Sequence, residues 1–271
     1  MNFKKSYKPS NGYTALCKIG YCSLTDLEFG IIELSPNQQW AFNTEDKETA
    51  FVMLWGSAYF SAQDVEYGML GVRTTVFASP KAECFYAGRG TKVEIRSVHS
   101  CKIAVCATPI DVDTNPQAIR QSDVRVVRLG IKPWERDTSF IIDESTNAKK
   151  LTIGEAYITP GNWAGFPPHK HDRDNMPFEC VAEEAYYFQF DPMQGFAVQC
   201  LYTSDGTIDE VYRVKNDELV EFPYGYHTTV SAPGYNTYFL WLMVGQHQGF
   251  FRANDPDHAW VGAVENLSKR S

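Results

Sequence analysis

The stretch PPHKHDRDNMPFECVAEEAYYFQF, residues 167–190, followed some way downstream by FPYGYH, residues 222–227, decides how this chain is read. On a β-strand, residues i and i+2 share a face, so His169 and His171 point to one side and Lys170 to the other. Glu184 opens the next apolar run, with Tyr186 and Phe188 on its face, read as a barrel interior, and Glu183 and Tyr187 outside. A carboxylate among aromatics needs a partner. Two imidazoles, this carboxylate and the histidine of the Gly-Tyr-His turn, His227, supply three nitrogens and one oxygen. Such a set suits one divalent ion among Zn²⁺, Mn²⁺, Fe²⁺, Co²⁺ and Ni²⁺, and the donor atoms do not choose among them. The alternative is a hydrogen-bonded histidine cluster without metal.

Around this stretch the chain is written in short strands. Runs at Phe51–Phe60, Thr91–Ser97, Lys102–Ala107, Leu151–Thr159, Ala185–Phe190, Ala197–Tyr202 and Tyr238–Val244 are punctuated by Gly, Pro, Asn and Asp, a rhythm that predicts an all-β barrel or sandwich. At 271 residues the chain has room for two domains. DVDTNPQAIRQSD, residues 111–123, breaks the strand pattern near the middle, which puts the halves at 1–115 and 116–271. They look like copies of one unit. With Gly90 set on Gly225, GRGTKVEIRSVHSCKIAVCA lies beside PYGYHTTVSAPGYNTYFLWLM, and Lys92 stands where the second half has His227, which would leave the first barrel without a metal site.

A net charge of −8 and the absence of a Lys/Arg cluster argue against nucleic acid as a partner. No apolar core follows the basic start and no run approaches membrane-spanning length, so a cytoplasmic protein with no membrane partner is expected. The seven cysteines form an odd set without a CxxC pair and read as reduced, mostly buried thiols.

The HxH, Glu and P-x-G-x-H arrangement resembles the cupin metal signature. The runs PGNW (160–163), PPHKHD, EEAYYFQF, QGFAVQ (194–199), YGYH, APGY (232–235) and NDPDHAW (254–260) are similar to the 5-deoxy-glucuronate isomerases of inositol catabolism and, more distantly, to the 4-deoxy-uronate ketol isomerases of pectin breakdown. The resemblance is dense from Leu151 to Val261 and implies a bicupin of two jelly-roll barrels, with a metal ion on His169, His171, Glu184 and His227. It also implies an aldose–ketose isomerisation of 5-deoxy-glucuronate to 5-dehydro-2-deoxy-gluconate through an enediol. Where the family carries L-N-V-M-A-G, this chain has Leu240-Trp241-Leu242-Met243-Val244-Gly245, so Trp241 is expected to reshape the substrate pocket. Tyr186 is the first candidate for proton transfer, with Glu179 and Tyr226 in reserve. Arg136, in WERDTSFII, is the candidate for holding the substrate carboxylate, and His258 a further pocket residue. Lys170 and Arg173 are expected to stay out of the site, and His99 and His247 carry no second feature. A homo-oligomer is expected. A cupin dioxygenase and a sugar-acid-binding cupin without catalysis are the competing functional classes.

Overall fold

Each half of the chain closes two antiparallel sheets into a jelly roll. The computed structural model describes residues 2–268. In the first barrel a six-stranded sheet runs in the order Gln117–Ile119, Cys84–Ala87, Lys47–Trp55, Cys101–Pro109, Glu28–Leu34 and Gly12–Cys17. It faces a four-stranded sheet of Gln39–Asn43, Lys92–Ser97, Ala58–Ala62 and Val65–Leu70. The second barrel repeats the plan. Its seven-stranded sheet runs Lys4–Ser6, Glu218–Phe222, Ala182–Asp191, Asn236–Gly245, Leu151–Ile158, Arg136–Ile142 and Arg125–Leu129. Its five-stranded sheet is Asp209–Lys215, Phe196–Tyr202, Tyr226–Ser231, Trp163–Lys170 and Ala253–Asn254. The sheets interlock: Lys4–Ser6 pairs with Glu218–Phe222 of the second barrel, and Gln117–Ile119 with Cys84–Ala87 of the first. No helix among the described residues is long and apolar enough to cross a membrane.

Three apolar clusters account for the patterning. One fills the first barrel around Phe51, Phe60, Phe85 and Ile103, and a second fills the second barrel around Phe188, Phe222 and Phe239. The third lies between the barrels, where Phe29, Ile31 and Val52 meet Ile153, Tyr187, Leu240 and Leu242. The large sheets therefore bury both faces, and Lys47–Trp55 and Asn236–Gly245 read as almost continuous apolar runs rather than alternating ones.

This corrects several expectations. Tyr187 is outside the interior of its own barrel, yet it is not exposed: it is fully buried between the barrels, tilted on Phe29 with ring centroids 5.3 Å apart. The run Phe51–Phe60 is two strands, divided at Gly56, where φ is +81° and a side chain would meet the Ser100 carbonyl at 2.3 Å. The repeat alignment is one residue out of register: Lys92 is exposed and paired with Glu94 at 2.6 Å, and the residue turned into the barrel is Val93. Cys17 and Cys22 form a disulfide across a short turn at a spacing longer than CxxC, while Cys84, Cys101, Cys106 and Cys180 are buried free thiols.

Carboxylates tie the barrels together. Glu48, second in its strand, accepts hydrogen bonds from the backbone N–H groups of Lys149, Lys150 and Leu151, ahead of the second barrel's Leu151–Ile158 strand, and from the Tyr86 hydroxyl. Glu183, second in the corresponding strand, accepts from the N–H groups of Thr25, Asp26 and Leu27, ahead of the first barrel's Glu28–Leu34 strand. At the centre, Arg73 and Glu155 form a buried ion pair at 2.5 Å, with Tyr238 donating to Glu155 at 2.9 Å. Removing Glu48 leaves three clustered N–H groups without their acceptor and the Tyr86 hydroxyl with Thr114 alone. Glu48→Ala is expected to lower stability to urea unfolding by about 3 kcal/mol. A midpoint unchanged from wild type would show that the clamp carries no weight.

Candidate functional site

The site is assembled on the inner faces of the second barrel's two sheets. Trp163–Lys170 loses regular pairing with Tyr226–Ser231 between Ala164 and His169, a bulge that contains Gly165, Pro167 and Pro168. Gly165 has φ +63°, and a Cβ there would press on the His169 ring at 3.1 Å. The bulge re-aims the end of the strand so that His169 lies directly opposite His227, ring centroids 4.5 Å apart. His171 follows just past the strand, and its backbone carbonyl accepts from the Ala182 N–H at 2.9 Å, tying it to the strand that carries Glu184.

All three imidazoles are oriented alike. The Nδ1 atoms of His169, His171 and His227 meet the backbone carbonyls of Gly165, Ala182 and Gly225. With Nδ1–H donated to a carbonyl, each Nε2 is left as the free donor atom. Glu184 Oε2 lies 2.9 Å from His171 Nε2 and 3.0 Å from His227 Nε2. The His227 Nε2 is sealed from solvent and, despite that proximity, makes no well-aligned hydrogen bond. Donor atoms of His169, Glu184 and His227 lie within 4.8 Å of one another, and His171 joins them through Glu184. A buried imidazole nitrogen without a hydrogen-bond partner, beside a carboxylate and two more nitrogens, fits a metal ligand set.

Electrostatics agree. Burial alone would raise the Glu184 carboxyl, but the imidazoles of His171 and His227 beside it outweigh that and hold it at about 2. Burial, then the positive charge of Arg252, drives His169 well below its ordinary range, keeping it neutral as a metal ligand must be.

A cavity of about 300 Å³ opens beside these residues, with His169, Glu184 and Tyr186 in its lining. The Tyr186 ring stacks on Phe239 at 4.3 Å and presents its edge to His227. Burial, reinforced by Glu184, pushes its phenol well above 10, so it is a neutral donor at physiological pH. Arg136 also lines the cavity and is buried rather than in a surface ion pair. Burial first, and then repulsion from Arg252, pulls it down to about 10, still charged near neutrality. Arg252 is the residue that sequence reading missed. It immediately precedes Ala253–Asn254, the short strand that pairs with His169 and Lys170, and the only textual hint was its place two residues before NDPDHAW. Trp241 also lines the cavity.

Three other expectations are corrected. Glu179 is not in the cavity: it accepts from Lys170 Nζ at 2.7 Å and from the N–H groups of Asp172 and Arg173, so it organises the loop after His171. Tyr226 sits beside Tyr202 with Lys170 over its ring, on the far side of its strand from the cavity. His258 is exposed, and its backbone makes the turns leading into the helix Trp260–Ser268.

The chain as a whole is similar to known proteins. The KduI/IolB family model matches residues 7–261. A 5-deoxy-glucuronate isomerase of Geobacillus kaustophilus is 36% identical over 233 residues, 86% of this chain and 84% of that protein. One from Bacillus subtilis subsp. natto is 31% identical over 260 residues, covering 95% and 96%. The crystal structure of an IolB-like protein from Salmonella typhimurium superposes with a TM-score of 0.90 at 26% identity over 97% of this chain and all of that one. An oxalate decarboxylase of Lactobacillus farciminis shares the fold at TM-score 0.70 and 11% identity, over 99% and 93% of the chains.

The Glu179 loop has a pH signature. Burial would raise this carboxyl, but Lys170 and the two N–H groups hold it below the usual range. Its stabilisation is therefore complete at neutral pH and is lost as pH falls through the depressed value. Amide protection factors across residues 172–179, corrected for the intrinsic slowing of exchange in acid, should fall as pH is lowered for the wild type, and Glu179→Gln should already show the lower protection at pH 7. Equal protection in both proteins at pH 7 would refute this role.

Proposed function

Because this chain belongs to the KduI/IolB family and is a sugar-acid isomerase, we propose that it converts 5-deoxy-glucuronate to 5-dehydro-2-deoxy-gluconate in inositol catabolism, with one divalent ion on His169, His171, Glu184 and His227. The observation that carries this reading is the cavity lining, in which His169 and Glu184 of the converged cluster share one space with the guanidiniums of Arg136 and Arg252. Two like charges buried together are costly unless an anion joins them, and Glu265, close enough to influence both, lies at the helix end of this arrangement. A substrate carboxylate supplies that anion from the cavity side, and guanidinium matches it with parallel hydrogen bonds.

A bound divalent ion would act as a Lewis acid, stabilising negative charge on the oxygens of an enediolate. The protein supplies the rest. Arg136 and Arg252 anchor the carboxylate and fix how far the aldehyde end reaches. In the isomerisation a proton leaves the hydroxyl-bearing carbon, another is returned to the former aldehyde carbon, and the hydroxyl proton moves between the two oxygens, with no external oxidant or reductant. Tyr186, neutral and fixed by its stack on Phe239, is placed to lend its proton to the oxygen that gains charge and to recover it. The aromatic surroundings keep bulk water from this exchange.

Elemental analysis of wild type should find about one metal ion per chain, and His227→Ala should lose it with little change in far-UV circular dichroism. In an NMR time course the wild type should turn aldehyde signals of 5-deoxy-glucuronate into ketone signals. Tyr186→Phe should lower kcat by about a hundredfold or more with KM nearly unchanged, and Arg252→Ala should act chiefly on KM. Full turnover by a metal-free protein would overturn the metal-assisted mechanism. Oxygen consumption with Fe²⁺, or uronate binding without turnover, would assign the site to a dioxygenase or to a binding protein.

A further inference from the structure

The floor of the cavity is one row of residues crossing four adjacent strands. Tyr186 pairs with Trp241, Trp241 with Gly154, and Gly154 with Phe140. The glycine is what admits the tryptophan: a Cβ on Gly154 would stand 2.1 Å from the indole Cζ2. The ring lies in that gap, edge-on to Phe140 at 5.6 Å and to Phe250 at 4.9 Å. Its one polar atom, Nε1, is sealed from solvent and has no hydrogen-bond partner. The indole therefore offers the cavity carbon alone. Phe140 and Phe250 extend the same surface, while Arg136, Thr138, His169, Glu184, Tyr186 and Arg252 supply the polar groups elsewhere in the lining, the Thr138 hydroxyl without a hydrogen-bond partner.

We propose that Trp241, seated on Gly154 and flanked by Phe140 and Phe250, is a specificity-determining residue that selects a deoxygenated sugar acid over a fully hydroxylated one. The inference rests on the sugar-acid reading above. A substrate held by its carboxylate at the arginines and by its aldehyde end at the histidine cluster has its middle carbons in the cavity that Trp241, Phe140 and Phe250 line. A methylene there buries apolar surface against the rings. A hydroxyl laid on the rings gives up water and meets no donor or acceptor from them in return. Rejection of an added hydroxyl by an apolar wall reaches about a hundredfold at most, so the discrimination should be of that order or less.

The test compares 5-deoxy-glucuronate with glucuronate on wild type, Trp241→Asn and Phe250→Ser, using the enzyme as purified. Steady-state kinetics give KM and kcat for each, and calorimetry gives glucuronate binding without relying on turnover. Phe250 is 41% exposed, so its replacement keeps the test intact if the buried tryptophan variant does not fold. Wild type should favour 5-deoxy-glucuronate in kcat/KM by about tenfold to a hundredfold, carried mainly in KM. Trp241→Asn should shrink that ratio about tenfold by binding glucuronate more tightly, and Phe250→Ser should shift it in the same direction by less. A wild type that turns over both sugars equally, or a ratio unmoved in both variants, overturns the specificity role and leaves the isomerase reading standing. Failure of the wild type to bind or convert either uronate removes that reading, and this inference with it.

Discussion

Burial of the two large sheets against each other is the constraint on which the structure depends. Each sheet must present an apolar inner face to its own barrel and an apolar outer face to the other, which commits strands such as Lys47–Trp55 and Ala182–Asp191 to burial on both sides. Apolar contact is non-directional and sets no register by itself. Direction comes from the polar groups within and around it. Glu48 and Glu183 occupy corresponding positions in the two repeats, and each gathers backbone N–H groups at the entrance to a strand of the opposite barrel. With the Arg73–Glu155 pair between them, one relative placement of the barrels satisfies every member.

That rigidity bears on the site. Glu184 and Tyr186 point into the cavity from the same strand whose alternate residues, Glu183, Ala185 and Tyr187, are held against the first barrel. The first barrel thus acts as a backing plate. Carboxylate and phenol are held by a sheet fixed on both faces, while His169 and His171 arrive on the opposite sheet at the end of a bulged strand. Effective catalytic constellations need such support, because small displacements of a reacting group are costly in rate.

What could be read from sequence followed from local periodicity. The two-residue repeat put His169 and His171 on one face and Glu184 with Tyr186 on another, and the strand rhythm gave an all-β chain of two barrels. Arg136 and Trp241 were placed in the pocket by resemblance, and both line the cavity. What escaped depends on long-range packing. Tyr187 reads as outside its own barrel, but nothing local says that a second barrel covers it. Glu179 looks like a site carboxylate until Lys170, nine residues earlier, folds back onto it. Arg252 belongs to a segment with no strand signal beyond Ala253–Asn254, and only its pairing with His169 brings it to the cavity.

The exchanged edge strands have a consequence for how such a molecule could arise and be taken apart. Lys4–Ser6, at the start of the chain, completes the sheet of the distant barrel, and Gln117–Ile119, which leads into the second repeat, completes the sheet of the first. Each repeat begins by lending a strand to its twin. In an ancestor made of two identical single-repeat chains, the same exchange would have been a reciprocal arm swap between subunits. Fusion of the two copies would then have converted a concentration-dependent dimer into one chain, with the swap retained as a covalent record of the earlier symmetry.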